Sequence, residues 1–238
     1  MARRLFVDQP LDDGGFITLE KESSHYIKRV LRIQKGATLE LFNQHKTTAI
    51  ATIQSIEKDK VVLCINSKKK VMCHYPEQSL AVAVCAPQKL SWIIQKATEL
   101  AVKEIWLLET EFSQNNASNL IHDAEKIKRY NKIIISACEQ SGVNYLPTLH
   151  KSIKFTEWLE QDWVSHTLLL ADKSGSWHAS VSPINKPIIW LIGPEGGFSE
   201  AEMRSLIAKK AQSIKLSPTI LRMETACISA LTIGHQIN

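Results

Sequence analysis

Ile188-Ile189-Trp190-Leu191-Ile192-Gly193-Pro194-Glu195-Gly196-Gly197-Phe198-Ser199-Glu200-Ala201-Glu202 is the stretch whose reading decides the fold. Five apolar residues in a row, stopped by Gly-Pro, read as a buried strand. Ser199 and Glu202 have capping-box spacing, so a helix starts directly after the glycine loop. A strand that runs through a loop into a helix belongs to an α/β layer. In open α/β sheets ligands sit at the carboxyl ends of strands, where this loop lies.

The flanking sequence repeats the pattern. Upstream, Ser79 to Cys85 is a buried-strand run, and Ser91 to Val102 is a helix with Ile93, Ile94, Ala97, Leu100 and Ala101 on one face. Glu104 to Leu108 is a strand. Asp123 is placed to cap a long helix to Ser141, which Gly142 ends. A short helical stretch spans Phe155 to Leu159, and His166 to Ala171 and Pro187 to Ile192 are strands. Downstream, Ser199 to Lys210 is a helix, Ser213 to Leu216 a strand and Met223 to His235 a final helix. Strands alternating with helices predict a mostly parallel sheet covered on both faces.

The first third reads differently. Leu5 to Val7, Phe16 to Leu19, Thr38 to Phe42, Thr47 to Ile56 and Lys60 to Ile65 are short β-rich runs separated by turn residues, including Asp12-Asp13-Gly14-Gly15. One helix interrupts them. Ser23 or Ser24 could cap it, Tyr26, Ile27, Val30 and Leu31 recur at helical spacing, and Lys28, Arg29 and Arg32 fall on or beside its other face. A small β-barrel with one basic helix is expected, followed by a linker at Lys68 to Pro76. The expected domains are residues 1–72 and 73–238.

The 238 residues are 44% hydrophobic and 22% charged, with only 9 Gly and 8 Pro, a globular composition. No apolar run is long enough to cross a bilayer, and Arg3-Arg4 is not followed by the apolar stretch of a secretory signal. The 5 Cys form no C-x-x-C pair and the 8 His no H-E-x-x-H, which argues against a disulfide framework or a metal site. A cytoplasmic, metal-free protein is the expectation. Residues 1–75 carry 13 Lys/Arg against 8 Asp/Glu, whereas residues 76–238 carry 16 of each. The entire net charge of +5 therefore sits in the first third, as it would if that part holds an anionic partner and the second part does something else.

A phosphate cradle needs glycine with Lys and Ser/Thr. The loop after the 188–192 strand carries Glu195 and no cation, so it suits a hydroxyl-bearing or cationic ligand, a description that adenosine bearing a sulfonium satisfies. On glycine spacing alone, an ordinary strand-to-helix turn is the simpler reading. A second segment, Lys215-Leu216-Ser217-Pro218-Thr219-Ile220-Leu221-Arg222-Met223-Glu224-Thr225-Ala226, leads from a strand end into the last helix. Glu224 complements the helix dipole there, but Arg222 opposes it, which hints at function. Leu170-Ala171, Gly193 to Gly197 and Leu216 to Thr225 all follow expected strands.

Together these segments resemble the RsmE family of ribosomal RNA methyltransferases in the SPOUT superfamily, and the likeness runs across nearly the whole chain. Arg3-Arg4-Leu5-Phe6-Val7 looks like the family's opening, and His25 to Arg32 resembles its basic helix. Gln95-Lys96-Ala97-Thr98-Glu99-Leu100 is similar to Q-K-x-x-E-L, and Glu139-Gln140 with Gly142 to E-Q-x-G. Gly193 to Gly197 matches G-P-E-G-G, and Leu221 to Ala226 resembles L-R-T-E-T-A. The resemblance implies an α/β, SPOUT-type parallel sheet with a C-terminal trefoil knot, preceded by a small PUA-like β-barrel. It implies S-adenosyl-L-methionine as cofactor, a homodimer whose two subunits complete each active site, and 16S rRNA of the small ribosomal subunit as partner. The implied reaction is methylation of ring nitrogen 3 of one uridine. The chain departs from the pattern at Phe112, Val143, Tyr145 and Thr219, where the family carries Arg, and at Ala101 and Met223.

The expected cofactor-binding residues are Leu170, Ala171, Gly193, Pro194, Glu195, Gly196, Gly197, Leu216, Leu221, Met223 and Thr225. Arg3, Arg4, Lys28, Arg29 and Arg32 are expected to hold RNA. Uracil must lose its imide proton before it can attack. Arg222 is expected to stabilise the developing charge, with Glu139 or Glu224 as candidate proton acceptors. Two alternatives stand beside this reading. One is a divergent member acting on another RNA or base atom; the other is a non-catalytic RNA-binding or ribosome-assembly protein that keeps the fold. The intact Gly193 to Gly197 loop and Arg222 favour an enzyme.

Overall fold

The structure is a computed structural model that describes residues 3–19, 21–30, 32–71, 77–113 and 124–237. Asp123 and Leu31 lie outside the described residues. Two compact units form, one from residues 1–73 with 138–146, the other from 74–137 with 147–238.

The first unit holds β1 (Arg4–Phe6), β2 (Phe16–Leu19), α1 (Lys21–His25), β3 (Thr38–Phe42), β4 (Thr47–Ile56) and β5 (Val61–Lys70). They pair in the order β1-β3-β4-β5-β2, antiparallel except for β1 beside β3. Alternation along the strands sends Leu39, Leu41, Ala51, Ile53, Val61 and Leu63 inward to a core with Leu5, Ile17 and Ile27. Two register shifts between β4 and β5 bend the sheet around that core.

Two expectations change here. The helix starts at Lys21, before the proposed caps, and continues as a π-helical turn over Tyr26–Val30. Ser24 does not cap it; its hydroxyl is buried and donates to the Leu19 carbonyl at 3.0 Å. Lys68 to Lys70 are not linker. They extend β5 and pair with Thr47 to Ala49. Their side chains are exposed, so no apolar alternation betrays the strand.

The second unit contains β6 (Gln78–Ala83), α2 (Pro87–Glu99), β7 (Glu104–Glu109), most of α3 (Ala124–Ser141), β8 (Thr148–Leu149), β9 (Ile153–Lys154), α4 (Phe155–Leu159), β10 (Thr167–Trp177), β11 (Ile188–Ile192), α5 (Glu200–Ala208), β12 (Gln212–Lys215) and α6 (Met223–Ile237). The seven-stranded sheet is parallel throughout, in the order β12-β10-β11-β6-β7-β8, with β9 also on β7. Every residue of β6 and β11 is buried, as a sheet covered on both faces requires. One face packs Ile189 and Leu191 against Phe155, Trp158 and Leu206; α6 lies against β11, β6 and α2. Gly142, at φ +88°, ends α3 as expected.

Because β10 lies between β11 and β12, the chain must cross over β10 to reach β12. That order gathers the carboxyl ends of β10, β11 and β12 side by side. β10 is also longer than its apolar run suggests. Its pairing with β12 breaks between Ala171 and Ser176, and the intervening residues bulge out. The bulge depends on Gly175, where a Cβ would stand 2.4 Å from the Ser213 carbonyl.

Candidate active site

The three strand ends enclose a cavity of about 360 Å³. Ala171, Asp172 and Lys173 line it from the β10 bulge, and Pro194 to Gly197 from the loop after β11. The loop after β12 contributes Leu216, Ser217, Thr219, Ile220 and Leu221, joined by Ala226 from α6. Local chemistry fixes each wall. Asp172 holds the bulge by accepting from the backbone N–H and hydroxyl of Ser174. Gly197, at φ +77°, turns the chain so that its N–H donates to the Pro194 carbonyl at 2.8 Å. Ser199 then caps α5 in the full capping box with Glu202. Ser217 accepts from the Thr219 N–H at 3.2 Å.

Of the expected cofactor residues, Ala171, Pro194, Glu195, Gly196, Gly197, Leu216 and Leu221 line the cavity. Leu170, Gly193, Met223 and Thr225 do not; Leu170 and Met223 face the core, and Thr225 is exposed. Sequence reasoning misses Asp172, Lys173, Ser217, Thr219 and Ile220, because the β10 bulge and the loop after β12 carry no distinctive spacing.

The glycine loop does have a cation. Lys89, on the first turn of α2, donates to the Glu195 carboxylate and stands 3.8 Å from Glu224. It comes from a segment more than 100 residues away in sequence, so loop composition could not reveal it. The Lys89 hydrogen bond holds the Glu195 carboxyl below the usual glutamate range, and the same bond raises Lys89. Glu195 is therefore an ionised partner of Lys89, which revises the expectation of a carboxylate free for a cationic ligand. Glu224 is turned toward Lys89 rather than Arg222, and its Oε2 is buried without a hydrogen bond among the described residues. Arg222 is exposed, directly follows the wall residue Leu221, and makes no ion pair or side-chain hydrogen bond among the described residues. Its carbonyl accepts from Ala226 to start α6. Burial pushes the Cys85 thiol up to about 12 and raises Cys227 as well, so neither is a thiolate nucleophile.

Other expected site residues have other surroundings. Glu139 does not line the cavity; it belongs to the first unit, where its Oε1 accepts from the Phe6 N–H at 3.1 Å. Burial raises its carboxyl, offset by that N–H and by Arg4. Arg4 is not placed to hold RNA. Only 8% of its side chain is exposed, and its guanidinium binds the Cys138 carbonyl, the Asn144 side chain and Glu40 and lies over the Phe42 ring. Lys28 donates to the carbonyls of Glu57 and Lys58 at the β4–β5 turn. Arg3, Arg29 and Arg32 are exposed.

The positions lacking the family's Arg are occupied otherwise. Phe112 packs toward Gly196, Val143 is buried, Tyr145 lies under Lys46, and the Thr219 hydroxyl meets Ser217. Among the described residues no three His, Cys, Asp or Glu converge as metal ligands, and no helix is long and apolar enough to cross a membrane.

The cavity lies on the parallel sheet, with Arg222 next to its wall residue Leu221 and without a side-chain partner among the described residues, and residues 73–235 match the family of RNA methyltransferase domains. Residues 19–65 match the RNA methyltransferase PUA domain family. The chain is 31% identical to the ribosomal RNA small subunit methyltransferase E of Buchnera aphidicola subsp. Schizaphis graminum, over 96% of this chain and 94% of that one. A Legionella pneumophila protein described as a methyltransferase, solved in complex with bound cofactor SAM, superposes with a TM-score of 0.87 at 29% identity, covering 99% of this chain and 98% of that one. The ribosomal RNA small subunit methyltransferase E of Neisseria gonorrhoeae shares the fold at a TM-score of 0.89 and 24% identity, over 98% and 96% of the two chains. The chain belongs to the ribosomal RNA small subunit methyltransferase E family, an α/β enzyme domain preceded by a PUA domain.

Proposed function

We propose that the chain transfers the methyl group of S-adenosyl-L-methionine to ring nitrogen 3 of one uridine in 16S RNA of the small ribosomal subunit, acting in the cytoplasm as a homodimer. In this reading residues 73–238 hold the cofactor and residues 1–72 hold RNA. The observation that carries it is the convergence of the β10 bulge and the loops after β11 and β12 next to Arg222, which has no side-chain partner among the described residues. The names of the relatives supply the RNA, and the Legionella pneumophila complex supplies the cofactor.

The cavity residues fit such a cofactor. The Gly196-Gly197 wall lets a ligand reach the backbone, and Leu216, Ile220 and Leu221 give apolar contact to a ring. Glu195 can accept from hydroxyls while Lys89 keeps it ionised. Bound there, the cofactor supplies an electrophilic methyl group on sulfur.

The protein's own work is positional and electrostatic. The uracil imide must lose its proton to attack, and negative charge then spreads over the carbonyl oxygens. Arg222 stabilises that charge. Glu224, two residues from Arg222 at the start of α6 and 3.8 Å from Lys89, is the candidate proton acceptor; Glu139 accepts from the Phe6 N–H in the first unit instead. Arg3, Arg29 and Arg32 hold RNA phosphates. Nucleoside mass spectrometry of ribosomal RNA from a strain lacking this gene should show loss of 3-methyluridine; an unchanged profile would sink the reading.

A further inference from the structure

Away from the strand ends, α2 and α3 flank a groove of about 700 Å³ within the second unit. Each helix buries one face and gives the other to the groove. On α2, Leu90, Ile93, Ile94 and Ala97 are buried, whereas Gln88, Trp92 and Gln95 follow i, i+4, i+7 along the groove. On α3, Tyr130, Ile134 and Ala137 are buried, and Lys128, Arg129 and Lys132 line the groove. All three cations are exposed, and Arg129 donates to the Ser91 hydroxyl at 3.4 Å. Among the described lining residues Glu125 is the only carboxylate, against the three cations Lys128, Arg129 and Lys132. Trp92 is 39% exposed among these cations.

A neutral half of the chain has thus gathered cations around an exposed aromatic ring. One exposed ring is ordinary on a protein surface; its position among three cations is the feature that points to a ligand. A second copy of the chain would have to present carboxylates to these cations to occupy the groove. Planar rings that stack on tryptophan, linked by phosphates that pair with Lys and Arg, define single-stranded nucleic acid.

We propose that this groove is a second RNA site, holding an unpaired stretch of the substrate with one base on Trp92 and its flanking phosphates on Lys128, Arg129 and Lys132. The proposal rests on RNA being the substrate. It assigns RNA binding to the half of the chain whose net charge is zero.

The test uses the full chain and a fluorescein-labelled oligouridylate of about 12 nucleotides, with anisotropy read between about 50 and 200 mM salt. The triple variant Lys128→Gln, Arg129→Gln, Lys132→Gln should weaken binding and flatten the salt slope by about two units, at roughly 0.7 for each phosphate of a single strand that is neutralised. Trp92→Ala should weaken binding about tenfold or more at every salt concentration and leave the slope unchanged, and Trp92→Phe should restore much of the loss. Thermal melts and cofactor titration establish that each variant is folded. Wild-type binding that all variants retain in full would overturn this groove alone. A wild-type chain that binds no oligouridylate even at low salt would overturn the RNA reading with it. A change of self-association in the triple variant by sedimentation, without loss of RNA binding, would assign the groove to a second copy instead.

Discussion

Arg4 and Arg222 are both arginines beside the start of a secondary-structure element, and their surroundings give them opposite work. Arg4 is almost completely enclosed, with carbonyl, amide and carboxylate partners and the Phe42 ring. Removing it takes a donor from the part-buried Asn144 amide oxygen and Glu40 carboxylate and opens the space over the Phe42 ring. Arg4→Ala should cost about 2–4 kcal/mol in urea unfolding, with RNA affinity of the folded protein little changed. Arg222 has no such partners among the described residues. Arg222→Ala should leave the melting temperature in place and lower single-turnover methylation at saturating RNA by about a hundredfold or more. A large loss of stability with turnover preserved would assign Arg222 a structural role.

Lys89 offers a residue-scale test by pH. The folded Glu195 carboxyl lies below its usual value of 4.5, chiefly through the Lys89 hydrogen bond. A lowered carboxyl stabilises the fold above the usual range, and that stabilisation disappears as pH falls through the folded value. Glu195 is half exposed, so the worth of the pair is small, about 0–1 kcal/mol. Lys89→Met should move Glu195 upward in an NMR titration of its carboxyl carbon; an unmoved Glu195 would contradict the pairing.

At the scale of elements, Gly175 in the β10 bulge and Gly196 on the cavity wall should respond differently. Gly175 faces the β12 backbone so closely that Gly175→Ala must push β10 and β12 apart, costing about 1–3 kcal/mol. Gly196 has room for a Cβ, which would meet Phe112 at ordinary van der Waals distance. Gly196→Val should therefore keep its melting temperature and lose cofactor affinity by at least about tenfold in calorimetric titration, because its methyls enter the cavity. Unchanged affinity would refute the site. Elements with strong periodicity or caps are legible in the sequence: β11, α4, the Ser199 cap and the end of α3 stand where their residues place them. Elements without such signals are not. β8 and β9 are two residues each, the end of β5 is polar on both faces, and the β10 bulge depends on Gly175 meeting a strand distant in sequence.

At the scale of the whole molecule, the charge division between residues 1–75 and 76–238 is visible by counting, as is the order of motifs that carries the family resemblance. Counting does not show which cations are available. Arg4 is enclosed and Lys28 is drawn to two backbone carbonyls, whereas Arg29 and Arg32 are exposed. Changing Arg29 and Arg32 together to Ala should weaken RNA binding, flatten its salt dependence by roughly one unit for each phosphate no longer held, and leave cofactor affinity alone. Binding and slope both unchanged would mean that this face is merely solvated.

The central claim is methyl transfer to ring nitrogen 3 of a ribosomal uridine. It is tested most directly by incubating the purified chain with methyl-labelled S-adenosyl-L-methionine and small ribosomal subunits from a strain lacking the gene, followed by nucleoside mass spectrometry. Label in 3-methyluridine, and its loss with Arg222→Ala, is the result expected. Label in another nucleoside, or none in RNA from a chain that binds the cofactor, would contradict the account.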